Sequence, residues 1–299
     1  MAYTEQRAYL ELHLAVFLWG FTAILGDLIQ LSALTLVWWR VLLTSLSLIF
    51  FVRIGKMIRE IGPRRFLLLA AIGIIVALHW VTFYGAIKLA NASIALVCMA
   101  TTSLFSSLLE PLIVRRPFVW YELLLGVFIL PGIYLIVDGV ESSMNIGIVV
   151  GLLSAALVST FTSLNKKYIS SSNPARITFI ELGAATLFLT PFLYPLGGNK
   201  FWPSPTDWLY LLILALLCTT LTFFLSLRAL HKLSAFASNL TVNLEPVYGI
   251  FLAYFLLDDG QELGRNFYWG TLLILLAVFG YAAGTRVLRK RKIAAQSLR

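Results

Sequence analysis

Long apolar runs constrain what this chain can fold into more than any other feature of its sequence. Ten runs of about 20 residues follow one another, which is the length that an α-helix needs to span the hydrocarbon core of a bilayer. They are continuously apolar, without the alternation that is typical of a membrane β-barrel. Because only 12% of the 299 residues are charged, the sequence predicts an all-α membrane protein with ten transmembrane helices. The expected spans are residues 9–31, 33–53, 66–87, 92–114, 119–138, 146–169, 176–196, 206–229, 234–257 and 266–287.

The net charge of +9 is unevenly distributed along the chain. All but four of the 23 lysines and arginines lie in one set of alternate loops and in the C-terminal tail. Loops on the cytoplasmic side of a membrane carry the excess of positive charge. We therefore expect a multi-pass protein of the plasma membrane (the cell inner membrane) with both termini in the cytoplasm. Since topology accounts for the basic charge, it does not point to a nucleic-acid partner.

A weak internal repeat divides the ten spans into five and five. The segment "AIKLANASIAL" (86–96) resembles "LHKLSAFASNL" (230–240) at an offset of 144 residues. Five is an odd number, so the second copy is expected to enter the membrane from the opposite side. Inverted repeats of this kind place a substrate site at their interface, near the middle of the membrane. We predict two five-helix repeats, 1–141 and 142–299, around a central cavity in one membrane domain.

The ninth span carries an unusual set of polar residues. Asn239 and Asn243 are four residues apart, and Glu245 falls near the middle of the span, next to Pro246. Polar side chains cover more than half of this helix, so it cannot face lipid and is expected to line a watery cavity or to be surrounded by protein. Glu245 is either a proton- or amine-binding group, or a structural group that pairs with Arg40 or another polar side chain.

Further candidates lie in spans 1 and 3. Trp19 and Thr22 fall in the middle of span 1, where a tryptophan either stacks on a substrate or fills space. His79 and Trp80 lie in the outer half of span 3. A histidine at this depth either exchanges protons near neutral pH or satisfies a neighbouring hydroxyl.

Other charged residues have simpler expected roles. Arg40 follows Trp38 and Trp39, which are typical of a membrane interface, and its side chain is expected to snorkel there. Glu181 lies about a turn and a half into span 7, so we expect it at headgroup depth. Glu110 is expected near the cytoplasmic end of span 4.

Two pairs of glycines, Gly147/Gly151 and Gly280/Gly284, have the four-residue spacing that favours close contact between helices. Contact within the chain and formation of a homodimer are both consistent with this spacing.

Motifs of several enzyme classes are missing from the sequence. There is no HExxH, CxxC or GxxxxGK[ST] motif, and no pair of carboxylates shares one depth in the membrane. We therefore expect no enzymatic activity, no catalytic residues, no cofactor and no metal. Transport by such a chain would be driven by an ion gradient or by the gradient of the substrate itself.

Two segments, "YGAIKLANASIAL" (84–96) and "LHKLSAFASNLTVNLEPVYGIFLAYFLLDD" (230–259), resemble the drug/metabolite transporter superfamily in its ten-helix EamA type. The resemblance extends over residues 12–285. It implies export of small metabolites through a central cavity lined by helices 1, 3, 4, 6, 8 and 9. The first half departs from the pattern, since Thr102 stands opposite Pro246 and Arg115–Arg116 replace the usual acid, so symmetric roles of helices 4 and 9 are not expected. The implied lining residues are Trp19, Thr22, His79, Trp80, Thr101, Thr102, Asn239, Asn243 and Glu245.

These features predict a secondary transporter that moves amino acids or related small molecules, as an exporter working by alternating access. Glu245 is the expected coupling residue, and membrane lipids are the expected surroundings. A passive facilitator of the same fold is the first alternative. An enzyme acting on a lipid-linked substrate and a scaffold or sensor that transports nothing are the others.

Overall fold

The computed structural model describes residues 4–137, 142–169 and 173–245, together with 247–249, 252, 266, 269–270, 272–273, 276–277 and 280. Within these residues the regular structure is entirely helical, and no strand occurs. The longer helices coincide with the expected spans. They are α1 (Glu5–Leu28), α2 (Ala33–Ile49), α4 (Pro63–Leu89), α5 (Ala92–Ala100), α6 (Thr102–Val114), α7 (Trp120–Val137), α8 (Asn145–Tyr168), α9 (Pro174–Leu196), α10 (Pro205–Ala215), α11 (Thr222–Leu230) and α12 (Ala235–Val242).

Two short elements complete the described chain. The basic loop between spans 2 and 3 contains a helix, α3 (Ile54–Glu60), and a single 3-10 turn (Ser142–Met144) precedes α8. Six of the described helical segments are long and apolar enough to cross a membrane. These are Glu5–Leu28, Pro63–Leu89, Ile94–Val114, Asn145–Tyr168, Pro174–Leu196 and Pro205–Leu230. Most of the expected tenth span, 266–287, lies outside the described residues.

Local sequence signals fix where the helices begin. The side chains of Thr4, Ser32, Asn91, Ser204 and Ser234 each accept a hydrogen bond from a backbone N–H of the first turn that follows. Such capping satisfies donors that have no partner inside the helix. Short polar residues between the apolar runs therefore set the helix boundaries.

Three of the expected spans are interrupted, which the sequence analysis did not anticipate. Span 4 breaks at Thr101, whose hydroxyl donates to the carbonyl oxygen of Cys98 at 2.6 Å. Span 8 contains a π-helix (Leu216–Leu221) between α10 and α11. Span 9 forms a turn at Asn243 and Leu244, before helical structure resumes at Glu245. Spans 4 and 9 are thus both interrupted, although span 4 has Thr102 where span 9 has Pro246.

Close contact between helices holds the bundle together. The helix α4 packs on α8 and α9, α1 packs on α11, and α2 packs on α9. The tightest approach joins α4 to α9, where a Cβ on Gly73 would lie 2.0 Å from the backbone oxygen of Glu181. Gly147 packs against Ala90 in the same manner. Gly151 meets Cys98, so this glycine pair serves contacts within the chain rather than a dimer.

Candidate functional site

A cavity lies in the middle of the bundle, between α1, α4, α8, α11 and α12. The space not filled by atoms amounts to about 720 Å³, open solvent at its margin included. Besides the predicted candidates, its walls are formed by Arg40, Phe83, Met99, Val158, Phe161, Thr162, Asn165, Phe223, Ser226, Leu227, Leu230, Ser238 and Val242.

The structure brings six of the nine predicted candidates together in this cavity. All six face one space although they come from spans 1, 3 and 9, so helix packing assembles the group. They are Trp19, Thr22, His79, Trp80, Asn239 and Glu245. Their roles toward a substrate stay predictions.

The other three candidates, Thr101, Thr102 and Asn243, do not line the cavity. They lie at the interruptions of spans 4 and 9, where α6 and α12 pack together. The Asn243 side-chain amide donates to the hydroxyl of Ser103 at 3.0 Å, which ties the two broken spans to each other. The family resemblance implied that these residues line the cavity; in the structure the Thr101 hydroxyl bonds within its own span, and Asn243 is bonded to the neighbouring span.

Asn239 takes part both in the cavity wall and in the contact between α12 and α6. Its amide donates to the hydroxyl of Ser106 at 2.6 Å, and Ser106 in turn lies 2.9 Å from the hydroxyl of Ser159 on α8. This chain of hydrogen bonds links spans 4, 6 and 9. Buried polar groups in a membrane need such partners, because lipid offers none.

Glu245 is buried, with 5% of its surface exposed, and its carboxylate borders the cavity. The Thr22 hydroxyl lies 3.5 Å from Oε1, but the same hydroxyl donates a shorter bond of 2.7 Å to the carbonyl oxygen of Trp19. The carboxylate is therefore weakly held by the protein. Among the described residues no direct ion pair forms at Glu245, although Arg40 acts on it electrostatically.

Arg40 occupies a place that the sequence analysis did not predict. Rather than snorkelling to the membrane interface, its side chain is 2% exposed and borders the cavity. Its guanidinium donates to the hydroxyl of Thr219 at 2.7 Å and to the hydroxyl of Tyr84 at 2.8 Å. It also lies over the Trp80 ring, 4.0 Å from the centroid. An arginine suits this role because its planar group stacks on aromatic rings while its edge donates hydrogen bonds.

The π-helix in span 8 explains how Arg40 finds a partner at this depth. Thr219 donates its hydroxyl to the carbonyl oxygen of Leu214, five residues earlier, and Thr220 does the same to Ala215. The wider turn leaves the carbonyl oxygen of Cys218 near the guanidinium, 3.4 Å from Nη2. A local irregularity of one helix thus accommodates a charge carried by another.

His79 is already satisfied by the protein. Its Nδ1 lies 2.8 Å from the hydroxyl of Ser154 and 3.0 Å from the carbonyl oxygen of the same residue. This arrangement matches the alternative in which the histidine serves a neighbouring hydroxyl. It leaves His79 as a wall residue beside Phe161, whose ring centroid is 5.6 Å away.

Aromatic rings form the apolar side of the cavity. The rings of Trp80 and Phe223 meet edge to face, with centroids 5.4 Å apart and an angle of 64° between their planes. The ring of Phe161 stacks on that of Phe223, with centroids 6.3 Å apart. Edge and stacked arrangements of this kind are favourable between aromatic side chains. The cavity therefore combines an aromatic wall with a guanidinium, that of Arg40, and an acidic side chain, that of Glu245.

Two further acidic residues hold the structure around the cavity. Glu110 accepts hydrogen bonds from the backbone N–H groups of Ala235 and Phe236, at 3.0 and 2.6 Å, and so caps the start of α12. It also forms an ion pair with Arg116, which bridges to Glu122. A carboxylate is favourable at a helix N-terminus, where the backbone dipoles leave partial positive charge.

Glu181, which the sequence predicts at headgroup depth, lies inside the helical bundle. It is fully buried, and its carboxylate lies next to Asn165 in the cavity wall. The close approach of α4 to α9 at Gly73 encloses it, and that packing is not visible in the sequence of span 7 alone.

The fold and the cavity together define a multi-pass helical membrane protein with a largely apolar cavity, bordered by a few polar side chains, between its spans. Comparison with known proteins agrees with this class. The model of the EamA-like transporter family matches residues 6–138 and again residues 145–283. The chain belongs to the EamA-like transporter family, so the resemblance seen in the sequence is confirmed. It is accordingly a membrane transporter of small molecules that works in a lipid environment, and its family is not one of enzymes.

Solved structures show the same fold. Of 25 solved chains that match, one described as "Crystal structure of protein" has a TM-score of 0.75 and 14% sequence identity. The match covers 95% of this chain and 99% of that one. No curated protein matches the sequence.

Proposed function

We propose that this protein is a secondary transporter that exports amino acids or closely related small molecules by alternating access. The observation that carries the proposal is the pairing of Arg40 and Glu245 in one aromatic cavity. Opposite charges that border the same space, without bonding to each other directly, suit a ligand that carries both charges. Ionisable groups in the membrane are costly and generally mark a substrate or ion pathway.

Each charge has a matching part of such a ligand. Glu245 would accept hydrogen bonds from an ammonium group, and the free N–H groups of Arg40 would bind a carboxylate. Three protein groups engage the guanidinium, which has five N–H donors, so donors remain for a ligand. The aromatic wall at Trp80 and Phe223 would contact an apolar side chain.

Glu245 also serves as the proposed coupling residue. Among the described residues its carboxylate has a single long contact, to Thr22, which would leave it free to exchange a proton for the substrate ammonium. Binding of one would then exclude the other at the same oxygen atoms. This exchange would let a proton gradient drive export.

The ten helices are proposed to form two inverted five-helix repeats, 1–141 and 142–299. Three features support this arrangement. The family model matches the chain twice, at 6–138 and 145–283. Span 3 packs on span 6 through α4 and α8, and span 8 packs on span 1 through α11 and α1. Adding or subtracting five in the span numbers turns the first of these contacts into the second, as two equivalent five-helix halves require. The fourth and ninth spans are both interrupted.

Contacts at the two ends of the bundle suit alternating access. At the expected outer end, Asp207 accepts from the backbone N–H of Gln30 at 2.8 Å and pairs with Lys200. This joins the start of span 8 to the end of span 1. We call it the outer contact.

At the expected inner end, Arg65 donates to the backbone oxygen of Tyr168 at 2.9 Å and joins the start of span 3 to the end of span 6. Arg176 pairs with Glu60 nearby, and its guanidinium lowers the pKa of the Glu60 carboxyl. We call the bond between Arg65 and Tyr168 the inner contact. The two contacts join equivalent spans of the two halves, so opening them in turn would expose the cavity to each side.

Location and assembly complete the proposal. The excess of basic residues in alternate loops supports the plasma membrane with both termini in the cytoplasm. A homodimer stays a prediction that Gly147 and Gly151 no longer support, because they pack within the chain. Of the other glycine pair, Gly280 has no described residue within 4 Å of a Cβ placed on it, and Gly284 lies outside the described residues.

A screen of ligands tests the proposed substrate class. The purified protein is heated with amino acids, with the corresponding amines that lack the carboxylate, and with the acids that lack the ammonium. We expect the amino acids to raise the melting temperature more than either fragment, because binding to the native state stabilises it. Equal stabilisation by the amine alone would contradict a role for Arg40, and no stabilisation by any member would contradict the substrate class.

A further inference from the structure

A second buried carboxylate lies behind the cavity wall and is not part of the proposed substrate site. Glu181 is 0% exposed and follows the start of α9 at Pro174 by seven residues. At 1.5 Å per residue, it lies about 10 Å into the span. A charge at such a place is costly unless it is neutralised or paired.

The hydrogen bonding of Glu181 is incomplete. Asn165 Nδ2 donates to Oε2 at 3.4 Å, whereas Oε1 has no partner among the described residues. The side-chain oxygen of Asn165, Oδ1, also lacks a partner there. Both atoms without a partner are acceptors, and they belong to two side chains that are already joined by one hydrogen bond. What this pair lacks is a donor.

Charged and titratable side chains on the elements that pack around α9 have partners elsewhere or lie exposed. None of them forms an ion pair with Glu181 in the described part of the chain. Six of these side chains form hydrogen bonds or ion pairs with other residues: Arg40 with Thr219 and Tyr84, Arg65 with Tyr168, His79 with Ser154, Lys88 with Ile29, Lys166 with Leu230 and Arg228 with Glu11. The ammonium group of Lys167 lies over the ring of Tyr168. Arg64 is exposed.

We propose that Glu181 and Asn165 form a proton-binding site, in which the carboxyl carries a proton on Oε1 and donates it to Oδ1 of Asn165. One proton then satisfies both acceptors at once. The acid and the amide form a ring of two hydrogen bonds, one from Nδ2 to Oε2 and one from Oε1 to Oδ1. The carboxyl is neutral in this state, which removes the cost of a buried charge.

A proton fits this site better than a metal cation does. Hard cations such as Ca²⁺ and Mg²⁺ take about six or more oxygen ligands. Here two side-chain oxygens lack partners, one on each residue. The neighbouring Asn165 Nδ2 is a donor that points to the carboxylate, and such a donor would repel a cation.

Asn165 separates the site from the cavity. It lines the cavity on α8, whereas Glu181 lies behind it on α9. The backbone at Glu181 is in close contact with Gly73, and we assign the movement of the pair to the asparagine side chain. Rotation of Asn165 would place the carboxyl in contact with water in the cavity, and its proton would exchange there.

Infrared spectroscopy of the full chain in lipid at neutral pH tests the site, because a protonated carboxyl has a C=O stretching band that an ionised carboxylate lacks. We expect Glu181→Gln to remove one such band from the spectrum of the wild type. Glu245→Gln is the matched control and should leave that band in place. A spectrum of Glu181→Gln with every protonated-carboxyl band of the wild type intact would overturn the proposal.

A second variant keeps the test decisive if Glu181→Gln does not fold. Asn165→Leu removes both hydrogen bonds to the carboxyl while keeping Glu181. We expect the band to persist and to move to higher frequency, since its C=O no longer accepts a hydrogen bond. An unchanged band in this variant would show that the proton is held elsewhere. The result does not depend on the identity of the transported molecule, so it can fail while the proposed transport function stands.

Discussion

Arg40 shows how much the surroundings of one residue decide its role. In the sequence it follows two tryptophans and has the pattern of an interfacial residue. In the structure Trp39 packs with Trp208 at an outer aromatic cluster, whereas Arg40, one residue later, points inward to Trp80. A helix turns by about 100° per residue, so adjacent residues face different surroundings. The depth of a side chain is predictable from sequence, but its direction depends on which helix lies opposite.

The two cavity charges should respond differently to substitution. Arg40→Lys loses the planar guanidinium that donates to Thr219 and Tyr84 and that stacks on Trp80. Charge-assisted hydrogen bonds contribute about 1.5–3 kcal/mol, so we expect the affinity for ligands with a carboxylate to fall roughly tenfold or more. Affinity for the matching amines should change little. Titration calorimetry with both ligand types measures the difference, and an equal loss for both would contradict separate roles.

Glu245→Gln is the complementary substitution. It keeps the size of the side chain and the contact to Thr22 but removes the charge. We expect ligands with an ammonium group to lose affinity, and transport into inverted vesicles to stop responding to a proton gradient. If uptake keeps its response to the gradient, Glu245 is not the coupling residue. A change of affinity with no gradient dependence in either protein would indicate a passive facilitator.

Glu110 should stabilise the fold rather than contact a ligand. Glu110→Ala removes the acceptor for the first N–H groups of α12 and leaves Arg116 with one carboxylate fewer. We expect the free energy of unfolding to fall by about 1–3 kcal/mol, seen as a lower melting temperature of the purified protein. Asp27→Ala is the control, because that residue is exposed and forms no ion pair among the described residues. Equal melting temperatures for the two variants would show that the cap contributes little.

At the scale of the helices, the sequence predicted where the described spans lie, but it did not predict where they are interrupted. Apolar length and polar caps located the described spans, because both are local properties of the chain. The break at Thr101 has no proline or glycine to mark it, and the π-helix at 216–221 depends on threonine hydroxyls that bond five residues back. Apolar length and caps carry no sign of either irregularity. Six of the nine predicted residues border the cavity, whereas Thr101, Thr102 and Asn243 do not, and the roles of all nine toward a substrate stay predictions.

The close packing of α4 on α9 can be tested by substituting a glycine at their contact, with a second glycine of the same helix pair as the control. Gly73→Ala would place a Cβ 2.0 Å from the backbone oxygen of Glu181, which side-chain motion cannot relieve. Overpacking of this kind costs about 1–3 kcal/mol or more, so we expect a clearly lower melting temperature. Gly183→Ala, on α9, meets nothing within 4 Å and should leave the melting temperature unchanged or raise it. Similar effects of both substitutions would contradict the described packing.

At the scale of the whole molecule, the proposed mechanism requires the inner and outer contacts to restrict access to the cavity from each end. The outer contact joins Asp207 to Gln30 and the inner contact joins Arg65 to Tyr168. The described lining residues are mostly buried, while part of the cavity margin is open to solvent. Transport requires that each contact opens while the other stays closed. The central claim is therefore that this one cavity becomes accessible from both sides of the membrane.

Labelling of a single cysteine in the cavity tests that claim most directly. Ser226 lines the cavity and is half-buried, and the natural Cys98 and Cys218 are both buried and would be replaced by alanine. A membrane-impermeant thiol reagent is added to right-side-out or inverted vesicles that carry Ser226→Cys. The loop variant Glu60→Cys is the control, expected to react from the cytoplasmic side alone.

We predict that Ser226→Cys reacts from both sides, and that an amino acid which stabilises the protein slows the reaction from each. Reaction from one side alone under all conditions, or from neither while Glu60→Cys reacts, would contradict transport through this cavity.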